Sequence, residues 1–330
     1  MKVLVTGASG MLGAGVANAL AARGDSVTVL QRRPSGLGLA EVMADVSEPV
    51  AVRAAVADQE AVVHLAAKVN VTGPWPEYER VNITGTRTVV DACRAAGVRR
   101  LVHVSSPSVA HIGRALTGAG AEPADPVRAR GPYARSKAVA EQIALGADAD
   151  GFAVLAVRPH LVWGPGDAQL VARVVERARR GRLPVIGSGA ALADSTYVAN
   201  AVDALVAALD RCVEARGQAL VVTNGEPRPI AELIGSICAA AGVPPPTRHV
   251  PVPLAATVGA VVQTSWAIHD RLRPNRPVGD PPITRFVVEQ MSTAHWFDQR
   301  HTREVLQWRP RISLDDGFLE LHRWFRRGQS

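Results

Sequence analysis

Lysine is scarce in this chain, and this weakens the case for a nucleic-acid partner that its basic charge would otherwise make. The 37 basic residues exceed the 30 acidic ones and give a formal charge of +7, yet only Lys2, Lys68 and Lys137 are lysines. The arginines are scattered, and no nucleic-acid recognition motif accompanies them. The sequence therefore predicts no nucleic-acid partner. Because lysines are so few, a lysine inside a motif is also less readily explained by chance.

Cysteines are equally few. Cys93, Cys212 and Cys238 are odd in number and far apart, which excludes a disulfide framework and a zinc-knuckle spacing. We therefore expect a protein of the reducing cytoplasm that requires no metal. The first apolar run turns into glycines at residue 7, which is too early for a signal peptide.

No apolar run is long enough to span a membrane. The longest, residues 252–268, is broken by Gln263 and Thr264 and falls short of the roughly 20 residues that a span requires. Its large side chains recur near helical spacing at Leu254, Val258, Val261, Val262, Trp266 and Ile268. This spacing predicts a helix whose apolar side faces the core. The alternatives are a lid or wall for an apolar substrate, or a surface in peripheral contact with a membrane.

Strand-like and helix-like segments alternate from the first residue. Apolar β-rich runs occur at 3–6, 25–30, 61–67, 99–106 and 152–159. Strands separated by helices form right-handed βαβ units and a parallel sheet, and uninterrupted apolar runs fit strands buried on both faces. The pattern predicts an α/β fold with a Rossmann-type, doubly wound parallel sheet.

A smaller, interleaved C-terminal substrate domain is expected as well. After Pro159, glycine- and proline-rich breaks separate shorter elements, but residues 199–210 and 219–225 repeat the earlier helix and strand pattern. We assign 1–163 with 196–224 to a dinucleotide-binding domain, and 164–195 with 225–330 to the substrate domain.

Three glycines follow the first strand directly. Gly7, Gly10 and Gly13 in "TGASGMLG" open the first helix. Glycine permits a tight turn, lets backbone N–H groups reach a pyrophosphate, and allows close packing of helix on strand. A glycine-rich turn at this place predicts a dinucleotide site.

The end of the second strand selects between cofactors. An acidic residue there would hydrogen-bond the adenosine ribose of NAD, but this chain has Gln31, Arg32 and Arg33. Two arginines can hold a 2′-phosphate, so we expect NADP(H), with NAD(H) as the alternative. Asp45 is a candidate acceptor for the adenine amine, or a cap for the next helix.

Tyr133 and Lys137 stand four residues apart at the start of an alanine-rich stretch. In a helix these positions share a face, so the ammonium can lie beside the phenol. A nearby positive charge stabilises the phenolate and lowers the pKa of the phenol. The pair predicts a proton donor or acceptor usable near neutral pH.

Together these motifs resemble the extended short-chain dehydrogenase/reductase family along essentially the whole chain. The matching pieces are "TGASGMLG", "VVHLAA", "VNITGTRTVVDA", "LVHVSSPSV", "YARSK", "RPHLVWGPGD" and "DSTYVANAVDA", in the family's order. The resemblance implies that Tyr133 is the acid/base, Lys137 its partner and ribose ligand, and Ser106, in preference to Ser105, the hydroxyl that polarises the carbonyl. It also implies cofactor contacts from Gly7, Ser9, Gly10, Met11, Leu12, Gly13, Gln31, Arg32, Arg33, Asp45, Val46, Leu65, Ala66, Ala67, Asn82, Tyr133, Lys137, Pro159 and Leu161.

Within that family the chain looks most like the 3β-hydroxysteroid dehydrogenase-like branch. "SSPSVAH" and "PPITRF...HWF" are especially similar to the 2-alkyl-3-oxoalkanoate reductases of bacterial long-chain olefin biosynthesis. The resemblance implies NADPH-dependent reduction of a large apolar β-keto acid, and a homodimer formed through the helices of residues 85–97 and 133–145. The substrate's carboxylate would need a cationic or N–H partner, for which His160 and Arg173 are candidates. The alternatives are a 3β-hydroxysteroid dehydrogenase and a sugar-nucleotide epimerase or dehydratase.

Overall fold

A computed structural model describes residues 1–70, 73–272 and 283–328, with the backbone alone at 267–272. Ile268, part of the predicted apolar helix, thus lies outside the described side chains. The first half of the chain forms β1 (Lys2–Thr6), α1 (Met11–Ala22), β2 (Ser26–Gln31), β3 (Ala40–Met43), α2 (Pro49–Val56), β4 (Ala61–His64), α3 (Trp75–Tyr78), α4 (Gly85–Ala96), β5 (Arg100–Val104), β6 (Leu116–Ala119), α5 (Gly131–Leu145) and β7 (Ala153–Pro159). A π-helical turn at Glu79–Thr84 precedes α4, and a 3-10 turn at Pro107–Ala110 follows β5.

The second half contains shorter strands between its helices. Its elements are β8 (Val162–Trp163), α6 (Leu170–Arg179), β9 (Val185–Ile186), β10 (Leu192–Ala193), β11 (Thr196–Tyr197), α7 (Val198–Asp210), β12 (Ala219–Val222), β13 (Arg228–Pro229), α8 (Ile230–Ala240), β14 (His249–Val250), α9 (Val252–Leu272), α10 (Arg285–Ser292), β15 (His295–Phe297), α11 (Arg300–Leu306) and α12 (Leu314–Arg327).

A seven-stranded parallel sheet forms the centre of the molecule, in the order β12-β7-β5-β4-β1-β2-β3. Alternate side chains of β1 point to opposite faces. Val3 packs with α1 and α7 on one face, and Leu4 packs with α2 and α4 on the other. Helices on both faces explain why the strands read as uninterrupted apolar runs. The predicted Rossmann-type, doubly wound sheet is confirmed.

Two elements return to this sheet late in the chain. β12 pairs in parallel with β7, placing Leu220 opposite Val157. On α7, Leu205 and Leu209 are fully buried against Val16 and Leu20 of α1. The late return of a helix and a strand was predicted from their repeated pattern.

A second, four-stranded sheet has the order β13-β10-β15-β6. β15 pairs in parallel with β6, a strand from the first half of the chain. Beside this sheet, Trp163 stacks on Phe318 with ring centroids 4.2 Å apart, inside a hydrophobic cluster that joins α6, α8 and α12. The division into 1–163 with 196–224 and 164–195 with 225–330 stays a prediction.

Helix α9 lies on the surface. Its Leu254, Val258 and Val261 are 55%, 44% and 61% exposed, so the prediction that they face the core is wrong. The residues that α9 buries are small, because a Cβ on Gly259 would come within 3.0 Å of the backbone of Thr284 and Arg285 ahead of α10. Such close packing leaves the larger side chains on the flanks of the contact. Within the described residues, no helix has the length and apolarity to cross a membrane.

Candidate active site

The turn between β1 and α1 has no room for a Cβ at Gly7 or Gly13. Gly7 has φ +80°, and a Cβ there would lie 2.8 Å from the amide nitrogen of Ala66. A Cβ on Gly13 would lie 2.4 Å from the carbonyl oxygen of Gly7. The turn thus brings the backbone, the N-terminus of α1 and the loop after β4 together. This concave backbone surface fits a pyrophosphate.

Buried His64, the last residue of β4, holds the adjoining loop in place. Its Nδ1 lies 2.8 Å from the hydroxyl of Thr6, and its Nε2 lies 3.1 Å from the hydroxyl of Thr86. The amide of Ala66 donates to that same Thr6 oxygen at 3.1 Å. Burial lowers the pKa of His64 to about 3, with the charge of Lys137 adding to the effect, so the ring stays neutral. A neutral imidazole can accept from one threonine while donating to the other.

The loops after β1, β2, β4, β5 and β7 enclose a long cleft of about 750 Å³. Eighteen of the predicted cofactor residues line it: Gly7, Ser9, Gly10, Met11, Leu12, Gly13, Gln31, Arg32, Arg33, Asp45, Val46, Leu65, Ala66, Ala67, Tyr133, Lys137, Pro159 and Leu161. A cleft at the carboxyl ends of parallel strands is where open α/β sheets bind ligands.

Asn82 lies behind this cleft. In the π-helical turn, its side-chain oxygen accepts from the amide of Lys68 at 2.7 Å and its nitrogen donates to the carbonyl of Lys68 at 3.1 Å. The same nitrogen is 2.9 Å from Ser136 Oγ on α5. Asn82 therefore fastens the cleft's loop to the helix that carries the tyrosine and the lysine.

Positive side chains gather at the end of the cleft that follows β2. Arg32 and Arg33 are exposed, and Arg32 Nη1 is 4.0 Å from Asp45 Oδ2. Arg80 donates to the same Asp45 oxygen, and Ser47 donates to the other oxygen of that carboxylate. Burial alone would raise the pKa of Asp45, but these hydrogen bonds outweigh it and lower the pKa. Asp45 is thus ionised, and its two carboxylate oxygens already accept hydrogen bonds from Arg80 and Ser47.

Tyr133, Lys137 and Ser106 all line the cleft. Tyr133 and Lys137 both lie on α5, which begins at Gly131 as the spacing indicated. The Lys137 ammonium donates to the carbonyl of Val104, the last residue of β5, at 2.6 Å. Ser106 lines both the cleft and the cavity beyond it, whereas Ser105 lines the cleft. A hydrogen bond from Ser108 Oγ reaches Ser106 Oγ at 2.9 Å.

The pKa values of the pair differ from the sequence expectation. Burial raises the pKa of Tyr133, and its hydrogen bond with Ser106 opposes that rise. Burial lowers the pKa of Lys137 to about 8, against the opposing charge of Glu141. The phenol is therefore protonated at neutral pH, and the group whose contact lowers its pKa is Ser106.

A buried ion pair fixes α5 against the sheet. Arg158 on β7 donates from Nε to Glu141 Oε2 at 2.8 Å and from Nη2 to the other carboxylate oxygen. Its Nη1 donates to the carbonyl of Glu122 at 2.7 Å. Both side chains are about 2% exposed. The bidentate hydrogen bonds tie α5, the helix that carries Tyr133, to β7.

Beyond the cleft lies a cavity of about 390 Å³ with mostly apolar walls. It meets the cleft at Ser106, Tyr133 and Leu161, and Leu161 has a left-handed backbone with φ +40°. Its apolar walls come from Leu116, Trp163, Leu170, Val174, Leu183, Ile230, Leu233, Ile234, Ile237, Phe286, Val287, Met291, Phe297 and Phe318. A cavity of this size and lining suits an apolar small molecule.

Three histidines, His111, His160 and His295, are among the polar residues of its wall. His295 Nε2 lies 2.6 Å from the carbonyl of Gln290, so that nitrogen bears the proton and Nδ1 accepts from His160 Nε2 at 2.9 Å. Burial lowers the pKa of all three, that of His111 to about 4. Within the described part of the chain, neither ring nitrogen of His111 has a hydrogen-bond partner. His301 is exposed and lines neither the cleft nor the cavity.

Sequence reasoning missed Arg80, His111 and Asp167. Arg80 and Asp167 line the cleft, and His111 lines the cavity. The carboxylate of Asp167 accepts from the amides of Gln169 and Val171 and so caps α6. An aspartate just before a helix is a readable cap signal. Arg80 and His111 reach the site through tertiary folding and carry no local signal.

Comparison with known proteins places these features in a family. The family model described as "NAD dependent epimerase/dehydratase family" matches residues 3–223. A 2-alkyl-3-oxoalkanoate reductase of Stenotrophomonas maltophilia is 38% identical over 97% of this chain and 98% of its own. A 3-beta-hydroxysteroid dehydrogenase of Mycolicibacterium neoaurum is 29% identical over 97% and 90%. The solved structure of MoeE5 in complex with UDP-glucose and NAD covers 100% of both chains at 26% identity, with a TM-score of 0.77.

Proposed function

The chain belongs to the NAD dependent epimerase/dehydratase family of extended short-chain dehydrogenases/reductases, and we propose that it reduces a 2-alkyl-3-oxoalkanoic acid with NADPH. Its relatives make it an NAD(P)-dependent oxidoreductase. The product would be the 2-alkyl-3-hydroxyalkanoic acid, a step that we assign to olefin biosynthesis. The observation that carries the proposal is the apolar cavity that meets the nucleotide cleft at Ser106 and Tyr133.

The proposed chemistry uses the protonated phenol. The ketone oxygen would lie between Ser106 and Tyr133, because these two hydroxyls stand at the junction of cleft and cavity. Tyr133 gives its proton to that oxygen during reduction, and its raised pKa keeps the proton available at neutral pH. Ser106 stabilises the developing negative charge on the oxygen. A nicotinamide bound in the cleft supplies the hydride.

The adenosine end supports a preference for NADP(H). Arg32 and Arg33 are exposed at the rim of the cleft, and Arg80 lies beside them on Asp45. Arginine pairs well with the negative charge of a 2′-phosphate. The ribose hydroxyl of NAD is bound by a carboxylate at this position, and this chain has Gln31 there instead. We propose NADP(H) as the physiological cofactor.

The substrate's carboxylate needs a cationic or N–H partner in an otherwise apolar cavity. His160 and Arg173 both line the cavity, as the sequence proposal requires. His160 Nε2 already donates to His295, and burial keeps the His160 ring neutral. Arg173 offers a guanidinium, whose geometry matches a carboxylate, and is the stronger candidate of the two.

We also propose a cytoplasmic homodimer. The proposed interface consists of α4 and α5, the two helices through which the family resemblance implies that the dimer forms. Light scattering of the purified protein would return the mass of two chains if this is right and of one chain if it is not.

Product analysis tests the function. The purified protein is given NADPH and a long-chain 2-alkyl-3-oxoalkanoic acid, NADPH consumption is followed, and the product is identified by mass spectrometry. We expect equal amounts of NADPH consumed and hydroxy acid formed. An epimerase returns its hydride to the substrate, so turnover of a sugar nucleotide without net NADPH consumption would contradict the proposal.

A further inference from the structure

A second apolar cavity adjoins the catalytic one. It encloses about 340 Å³, and the two cavities share Arg177, Leu183, Val287 and Met291. Val287 and Met291 are four residues apart on α10, so their side chains project from one face of that helix. The two spaces are therefore neighbours across a single wall.

Met291 is the most adaptable part of that wall. Its side chain packs on the hydrophobic cluster of α6, α8 and α12, and also on the small cluster of Ile186, Ala255 and Val288. An unbranched methionine side chain changes rotamer readily and fits irregular spaces. The wall between the cavities can therefore give way to a flexible chain.

The other walls of the second cavity are apolar and partly open to water. Leu254 and Val258 of α9 line it, and they are among the large apolar side chains that this helix exposes. Arg177 and Arg182 are its charged wall residues, and arginine can line an apolar space with its methylenes while its head stays in water. The composition suits an occupant without polar groups, one that would also cover the exposed face of α9.

We infer that this second cavity holds one of the substrate's two alkyl chains, while the other chain lies in the catalytic cavity. The inference rests on the proposed function, since a 2-alkyl-3-oxoalkanoate carries alkyl chains on adjacent carbons. With its ketone between Ser106 and Tyr133, such a molecule must direct two chains into separate apolar spaces. The second cavity, which shares the wall of Leu183, Val287 and Met291 with the catalytic cavity, supplies the second space.

The test compares two hydroxy acids with the same chain at C3, one bearing a long 2-alkyl chain and one bearing none. Each is oxidised with NADP⁺, and the ratio of the two kcat/KM values is measured. The wild-type ratio should rise about fourfold for each methylene added to the 2-alkyl chain, until the cavity is full. Val258→Trp, which fills the second cavity from α9, should lower the ratio about 30-fold, equivalent to two or three methylenes.

Val261→Trp is the matched control. Val261 lies on the same helix, is 61% exposed and is absent from the lining of both cavities, so the ratio should stay at its wild-type value. Binding of NADPH, followed by fluorescence, confirms that both variants are folded.

Three results would overturn the inference. An unchanged ratio in Val258→Trp would show that no chain enters the second cavity. Equal losses in both variants would indicate that tryptophan acts through the exposed face of α9 and not by filling the second cavity. Oxidation of a 3β-hydroxysteroid with neither hydroxy acid turned over would remove the proposed function, and the inference with it.

Discussion

At the scale of single residues, Tyr133 and Lys137 divide the work between proton transfer and cofactor binding. Tyr133→Phe removes the proton donor and leaves the rest of the cleft intact, so kcat should fall to a small fraction of wild type while NADPH still binds. Lys137→Ala should lower both kcat and the affinity for NADPH, since Lys137 lines the cleft and is buried one helical turn from Tyr133 on α5. Steady-state kinetics and fluorescence titration measure the two effects. A Phe variant that kept most of its kcat would contradict the assignment.

Ser106 and Ser105 offer a matched pair of variants one residue apart. Ser106 is at the junction of cleft and cavity, so Ser106→Ala should lower kcat about 10²- to 10³-fold, as expected for the loss of one oxyanion donor. Ser105→Ala should change kcat little. Measuring both with the same substrate decides the roles, and a larger effect at Ser105 would reverse them.

Arg32 and Arg33 set the expected cofactor preference. NADPH should bind at least tenfold more tightly than NADH, about 1.4 kcal/mol. Replacing both arginines with alanine should remove most of that difference, because their charged contacts to the 2′-phosphate are lost. Isothermal titration with both cofactors measures the gap. Equal affinities in the unaltered protein would show that the phosphate is not recognised.

At the scale of elements, the buried pair of Arg158 and Glu141 links β7 to α5. Arg158→Met would leave the Glu141 carboxylate buried without its partner, so the free energy of unfolding should fall by about 3 to 5 kcal/mol. Adding Glu141→Leu should restore much of that loss, because no uncompensated charge remains. Urea denaturation of the three proteins checks this. A double variant no more stable than Arg158→Met would refute the explanation.

Site residues that lie together in one turn or one helix could be predicted from the sequence. The turn follows from local backbone geometry, because Gly7 has φ +80° and a Cβ on Gly13 would meet the carbonyl of Gly7. The Tyr133–Lys137 spacing follows from helix geometry. Arg80 and His111 could not be found in this way, because only the folded chain brings them to the cleft and the cavity. The spacing of Leu254, Val258 and Val261 indicated a helix correctly but not its buried side, which depends on how closely α9 approaches α10.

At the scale of the whole molecule, the central sheet places every loop of the cleft at one edge. Parallel strands end together, so β1, β4, β5 and β7 deliver the glycine turn, the loop after His64, Ser106 and Leu161 to the same crevice. The second sheet and its helices enclose the apolar cavity on the far side of Tyr133. Cofactor chemistry and substrate recognition thus meet at the phenol.

The most direct measurement compares kcat/KM for a long-chain 2-alkyl-3-hydroxy acid, a 3β-hydroxysteroid and a UDP-hexose, each with NADP⁺ and the purified protein. Apolar walls recognise buried area, at about 25 cal/mol per Å², so the hydroxy acid with two alkyl chains should be the best substrate. A higher kcat/KM for the steroid would show that the enzyme is a 3β-hydroxysteroid dehydrogenase instead. Activity confined to the UDP-hexose would contradict the account of the apolar cavity.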